Sequence, residues 1–274
     1  MCLYPLIVKN YKLDTYFDIA LKNKIDLDLF RDVPRFFEVP CGKCIECQKQ
    51  LANVWSVRNY LESLQHTESI SVTLTYRNSP DNLVKRDIQL FFKRLRKKGY
   101  KFRYFGCGEY GGRGGRPHYH LCLYGYSPKD MTFFKYSKKG HNPLYKSKEI
   151  ENTWGLGFCL CEKLTVDSAR YASLYLQKFN DLETKKVKPF RLMSRKPGIG
   201  LLNIEKSYDK IYETDKIYYN GLYISTPRII LDRLLKSGYD LDLIKEKRKC
   251  NSVIYKKKKS ETLFEDRKNF ENFL

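Results

Sequence analysis

His118-Tyr119-His120 sets two imidazoles two residues apart. On a β-strand, positions i and i+2 share a face, so both rings can converge on one divalent metal while Tyr119 points the other way. Cys122 continues the histidine face, and Leu121 and Leu123 follow Tyr119 towards a core. Such a pair alone is also found in ordinary strands, and Glu109 gives it a context. Residues 101–110 (KFRYFGCGEY) and 117–126 (PHYHLCLYGY) read as two strands joined by the glycine-rich GGRGGR, an antiparallel hairpin. Across that turn Glu109 can come close to His118. Two imidazoles and one carboxylate leave coordination positions open for a substrate oxygen, which suits Mg²⁺ or Mn²⁺ in a phosphoryl-transfer site. Taken singly, Glu109 also reads as a surface glutamate beside a turn.

A second constellation is Tyr171-Ala-Ser-Leu-Tyr175-Leu-Gln-Lys178, inside a helix expected over residues 169–179 with Thr165 or Asp167 as its cap. Positions i, i+4 and i+7 share a helical face, so Tyr171, Tyr175 and Lys178 form one stripe, beside an apolar stripe of Ala172, Leu176 and Phe179. A tyrosine can attack phosphorus and hold it covalently. Two on one face permit a second transfer before the first product leaves. The plain alternative is a pair of core or rim aromatics in a chain with 22 Tyr.

Cys41, Cys44 and Cys47 form CxxCxxC, up to three thiolates for a structural Zn²⁺. The fourth ligand is open among Cys159, Cys161, Cys107 and a histidine; three unligated thiols at a helix start are the other reading. SRKPGIG, residues 194–200, places Arg195 and Lys196 before a Pro-Gly turn, either a phosphate contact or a basic loop. Arg113 and Arg116, in the hairpin connection, join them as candidate DNA contacts.

These groups need a scaffold. Residues 69–76 (SISVTLTY) are a β-branched run expected to be a central strand next to the histidine strand. Residues 85–98 predict a helix with Ile88, Phe91, Phe92 and Leu95 inward and Lys93, Arg94, Arg96, Lys97 and Lys98 outward. Residues 45–65 predict another, with Leu51, Val54, Trp55, Leu61 and Leu64 at helical spacing. Short strands near 217–224, a helix at 228–236 and a charged tail with KKKK at 256–259 follow. The fold class expected is α+β, a central antiparallel sheet of about five strands with flanking helices.

Composition narrows the partner. Lys+Arg is 52 against 31 Asp+Glu, a net charge of +21, and 16 Phe accompany the tyrosines. A basic, aromatic-rich surface suits single-stranded nucleic acid, with an anionic membrane surface second. No apolar run approaches the ~18–20 residues of a membrane span. The nine cysteines are odd in number and no secretion signal is evident, so thiols in a reducing cytoplasm are expected rather than disulfides.

The order TLTY (73–76), HYH (118–120), YxxxYxxK (171–178) resembles the three-motif layout of HUH-class rolling-circle replication initiators. With PCGKCIECQ (40–48), GEYG…RPHYHLCLYG, YASLYLQK and MSRKPGIG (193–200), the chain looks like the initiator of gokushovirus-type Microviridae, from about residue 39 to about 235. It departs from relatives at Gln177-Lys178-Phe179, where a lysine pair is often found. The resemblance implies a Rep-like, ferredoxin-like fold: a nickase domain over 1–235, with the cysteine cluster at 39–66 and an elaboration at 181–235, then a charged tail over 236–274. It implies metal-dependent nicking of single-stranded origin DNA, a 5′-phosphotyrosyl intermediate and a free 3′-OH, then rejoining to release a circle. It also implies host helicase and polymerase as partners. Two rivals stand beside it. One is a non-catalytic basic DNA-binding module with a zinc knuckle; the other is an HUH transposase or relaxase.

Overall fold

The structure, a computed structural model, describes residues 2–11, 18, 21–24, 26, 35–111, 115–137, 142–165, 187–219 and 221–249. It divides into two compact units, Met1–Ile199 and Gly200–Leu274.

In the first unit a two-stranded antiparallel ribbon, β1 (Leu6–Lys9) and β2 (Phe36–Val39), precedes helix α1 (Ile45–Ser63). There follow β3 (Ser69–Thr75), α2 (Lys85–Lys97), β4 (Arg103–Tyr110), β5 (Pro117–Tyr124), β6 (Thr132–Tyr136), β7 (Pro143–Lys146), α3 (Lys148–Trp154), β8 (Cys159–Lys163) and β9 (Phe190–Met193). Strands β3 to β9 form one antiparallel sheet in the order β6-β7-β8-β3-β5-β4-β9. The TLTY and HYH strands are neighbours, as expected, with Thr73 opposite His120 and Thr75 opposite His118. The sheet has seven strands rather than about five. The additions lie towards its edges, where β6 is exposed along its whole length and β9 is four residues long, so neither carries a clear alternation.

Alternation in the central strands separates two faces. Ile70, Val72 and Leu74 of β3, with Tyr119, Leu121 and Leu123 of β5, point into the main core. There they meet Ile88, Phe91, Phe92 and Leu95 of α2 and Ile150 and Trp154 of α3. The α2 stripe is the one its spacing predicts. Tyr119 also starts that helix: its hydroxyl accepts from the Val84 N–H at 2.9 Å and bonds the Tyr76 hydroxyl at 2.8 Å. Val84 is the N-cap and has no side-chain cap of its own, so a core tyrosine supplies the missing acceptor.

On the opposite face, α1 covers one end of the sheet. Trp55 packs with Phe105, Cys122, Tyr124 and Ile199. Here the expected packing is corrected. Leu51 and Leu64 are exposed, while Ala52, Trp55, Ser56, Asn59 and Glu62 are buried. The buried face is largely polar because the sheet offers it partners. Tyr124 donates to Asn59 Oδ1 at 2.9 Å, Arg103 pairs with Glu62, and Arg58 Nε donates to the Ile199 carbonyl at 2.9 Å. Hydrophobic spacing does not detect a face held by hydrogen bonds.

Gly157 sits where the turn after α3 crosses the end of β3. A Cβ there would collide with the Thr75 carbonyl oxygen and lie 2.5 Å from the Arg77 nitrogen, both backbone atoms. Gly157→Ala should therefore destabilise the fold by about 1–3 kcal/mol, the usual cost of forced overpacking. Urea unfolding checks this; an unchanged midpoint would refute the close contact.

The second unit has a short 3₁₀ turn (Ile204–Ser207), α4 (Tyr208–Thr214), the hairpin β10 (Lys216–Tyr219) and β11 (Leu222–Ser225), and α5 (Arg228–Lys236). Arg248 closes it with two 2.6 Å bonds to Asp215 and one of 2.7 Å to the Thr226 carbonyl. The KKKK tail lies outside the described residues. Among those described, no helix is long and apolar enough to cross a membrane.

Candidate functional site

The hairpin β4–β5 brings Glu109 directly opposite His118. His118 Nε2 lies 2.7 Å and His120 Nε2 3.3 Å from the same oxygen, Glu109 Oε1. One ligand atom from each residue falls within 4.8 Å of the others. The expected triad is thus assembled on the sheet face that α1 leaves free beyond Trp55.

Contacts behind the rings aim them. His118 Nδ1 meets the Arg116 carbonyl at 3.1 Å, and His120 Nδ1 meets Thr73 Oγ1 at 3.1 Å. Both Nδ1 atoms are engaged away from the site and both Nε2 atoms face Glu109. Hydrogen-bonded Nδ1 groups of this kind fix the tautomer and orientation of metal-binding histidines. Thr73 is the β3 residue paired with His120, so the TLTY strand supplies an orienting hydroxyl as well as a neighbour. Glu109 is only 3% exposed. Burial would raise its pKa, but the hydrogen bonds from His118 and His120 outweigh that and hold it below the ordinary carboxylate range.

Cationic and aromatic groups flank the triad along the sheet. On the β4–β9 side, Trp55, Lys188, Pro189, Phe190, Arg191 and Met193 line a cavity of about 430 Å³. Arg191 pairs across β4 with Cys107, itself opposite His120, so its side chain shares the histidine face. Its guanidinium lies 5.2 Å from the Trp55 ring centroid and that of Arg58 lies 4.0 Å away. Burial, then the nearby Arg191 charge, lowers the Arg58 pKa to about 10. An anion between the two would relieve that repulsion. On the β3–β8 side, Arg77 lies 5.7 Å from the ring of exposed Phe158, at the mouth of a cleft of about 680 Å³. Arg58, Arg191 and Thr73 carry no motif of their own; only register and packing reveal them.

The cysteines divide differently from expectation. Cys41, Cys44 and Cys47 come together, and the fourth member of their cluster is Cys2. Cys107, Cys159 and Cys161 are buried in the sheet, the last two within the main core, and burial raises all three thiol pKa values. They are packing residues, not ligands of this cluster. Four thiolates in one place could bind a structural zinc.

Of the candidate DNA contacts, Arg195 and Lys196 are exposed. Their loop is held by Arg103, which donates to the Pro197 carbonyl at 2.7 Å. Arg116 donates to the Tyr76 carbonyl at 3.0 Å, tying the hairpin to the end of β3. Arg113, Tyr171, Tyr175 and Lys178 lie outside the described residues.

A family model described as replication-associated protein ORF2 matches residues 69–180, from β3 through the tyrosine motif. The chain is 31% identical over 276 residues to the replication-associated protein ORF2 of Spiroplasma virus 4, covering 90% of this chain and 85% of that protein. It is 30% identical to the replication-associated protein VP4 of Bdellovibrio phage phiMH2K, over 72% of this chain and 67% of that one. It is 28% identical to the replication-associated protein ORF4 of Chlamydia phage 1 over 80% of this chain, and spans 59% of that longer protein. No solved structure matches.

Proposed function

The chain belongs to the replication-associated protein ORF2 family, with relatives in small phages, and on that premise we propose that it is a metal-dependent origin nickase and strand-transferase of the HUH class. It acts on single-stranded DNA of a small circular genome and starts rolling-circle replication. The observation that carries this reading is the convergence of His118 Nε2, His120 Nε2 and Glu109 Oε1 with both Nδ1 atoms turned away. The donor set fits a divalent metal. With Nδ1 donating behind each ring, a neutral imidazole turns its Nε2 lone pair towards a carboxylate oxygen, and a cation between them satisfies both. Bound there, Mg²⁺ or Mn²⁺ would supply electrophilic polarisation of the scissile phosphate. The order β8-β3-β5-β4 with helices after β3 and β5 supports the Rep-like, ferredoxin-like reading of the fold.

The chain's own groups do the rest. Arg58 and Arg191 beside Trp55 on one flank, and Arg77 beside Phe158 on the other, hold phosphates and stack bases of a strand crossing the triad. The Tyr175 hydroxyl attacks phosphorus in line and forms a P–O bond as the bond to the 3′ oxygen breaks. Lys178 stabilises the phenolate, and the phenolic proton is lost as the 3′ oxygen gains one. The 5′-phosphotyrosyl link conserves the bond energy, so rejoining needs no nucleotide. Tyr171 makes the later cut at the regenerated origin, and the free 3′-OH closes the released circle. A host helicase would supply single strand and a host polymerase would extend the 3′-OH.

Purified chain and circular single-stranded origin DNA test this. With Mn²⁺ the circle should be cut at one position, and chelator should stop the cutting. Binding should weaken steeply with salt, the slope growing by ~0.7 for each phosphate contact. Salt-sensitive binding with no cleavage under any divalent metal would leave a non-catalytic DNA-binding module instead.

A further inference from the structure

We propose that Cys2, Cys41, Cys44 and Cys47 form a tetrathiolate site for one Zn²⁺, with Cys2 as the fourth ligand, and that this ion fastens the β1–β2 ribbon to the first turn of α1. The four Sγ atoms lie within 4.8 Å of one another. Two of their separations are 3.8 Å (Cys2–Cys44) and 4.0 Å (Cys41–Cys47). Zinc–sulfur bonds of ~2.3 Å in a tetrahedron give an edge of ~3.8 Å. Disulfide sulfurs lie ~2.05 Å apart, so these are four thiols arranged for an ion. All four are free.

The backbone supports the negative charge of such a cluster. The Cys41 N–H points at Cys2 Sγ (3.2 Å), the Leu3 N–H at Cys44 Sγ (3.4 Å), and the Lys43 and Cys44 N–H groups at Cys41 Sγ (3.5 and 3.3 Å). Cys44 is the N-cap of α1, so its sulfur sits at the positive end of a helix whose cap makes no other side-chain bond. Charge-assisted N–H···S contacts and a helix N-terminus favour thiolate over thiol.

The ribbon has little else to hold it. Leu6, Ile7, Phe36 and Phe37 are 53%, 75%, 59% and 43% exposed. A two-stranded ribbon without a buried face is marginal in water. Cys2 lies just before β1, Cys41 just after β2, and Cys44 and Cys47 at the start of α1. One ion at that junction closes the ribbon at its open end, and its binding energy becomes folding energy for the segment. An all-sulfur tetrahedral set selects zinc over the hard ions expected at the histidine–carboxylate triad, so the two sites do not compete.

The test uses the full chain, purified without chelator and dialysed against zinc-free buffer containing Mg²⁺. Metal analysis should find one zinc per chain in the wild type and in His118→Ala, and markedly less in Cys2→Ser and Cys44→Ser. Losing one ligand should cost at least ~100-fold in zinc affinity, more than second-layer partners cost. Because the cysteine variants could misfold, the wild type is also stripped and reloaded with Co²⁺. The visible spectrum should be that of tetrahedral cobalt bound by four thiolates. Zinc-free protein, iron in place of zinc, a three-thiolate cobalt spectrum, or Cys2→Ser that holds zinc as tightly as the wild type would each overturn the assignment.

Discussion

His118→Ala or His120→Ala should lower the nicking rate by about a thousandfold or more while leaving most of the affinity for single-stranded DNA. Each removes one of the two imidazoles that converge on Glu109 Oε1. The electrophilic contribution of a bound metal is worth several kcal/mol, and each ~1.4 kcal/mol is tenfold in rate. Affinity, in contrast, comes mainly from lysine and arginine on phosphate, and the net charge stays near +21. A graded version comes from Thr73→Val, which removes the hydroxyl 3.1 Å from His120 Nδ1 but no ligand. It should weaken metal affinity by roughly 10–100-fold, with the rate recovering as Mn²⁺ is raised. A positioning role predicts that recovery; a merely structural defect would not respond to metal. Parallel loss of binding and nicking in the histidine variants, with the fold intact, would count against the triad as the metal site.

Tyr175→Phe should abolish the first covalent adduct on a fresh origin strand. Tyr171→Phe should still form that adduct but release no closed circles over repeated rounds. Tyr175 is three residues before Lys178, so on a helix both can reach one phosphate oxygen. It alone fits the YxxK form of the motif, whereas Tyr171 is one turn further from the lysine. A phenol without its neighbouring ammonium keeps a pKa near ~10 and is a poor nucleophile at neutral pH. Adduct formation by Tyr175→Phe but not by Tyr171→Phe would reverse the order. Normal nicking and circularisation by either variant would make the tyrosines interchangeable.

The parts of the molecule with a strong period could be read in advance. Ile88, Phe91, Phe92 and Leu95 repeat with the helix, Ile70, Val72 and Leu74 alternate with the pleat, and both sets are buried as read. The histidine–glutamate constellation was legible for the same reason, because a glycine-rich turn between two alternating strands fixes which residues face each other. Cys2 was not, since it is 39 residues before Cys41 and only the folded ribbon brings it near. The inward face of α1 escaped because Asn59 and Glu62 are buried by partners distant in sequence, not by apolarity. Thr73 was visible as part of a strand motif, but its bond to His120 depends on register, which β-branched composition does not specify. The tyrosine helix lies outside the described residues and rests on its spacing and on the family match over residues 69–180.

The most direct test is covalent. Wild-type chain is mixed with Mn²⁺ and a single-stranded origin oligonucleotide, denatured, and analysed by intact mass and then by peptide mapping. The account predicts a species heavier by the 3′ portion of the oligonucleotide, lost with chelator, with the phosphate on Tyr175. Cleavage that leaves no protein-bound DNA, or an adduct on any residue other than Tyr171 or Tyr175, would contradict it.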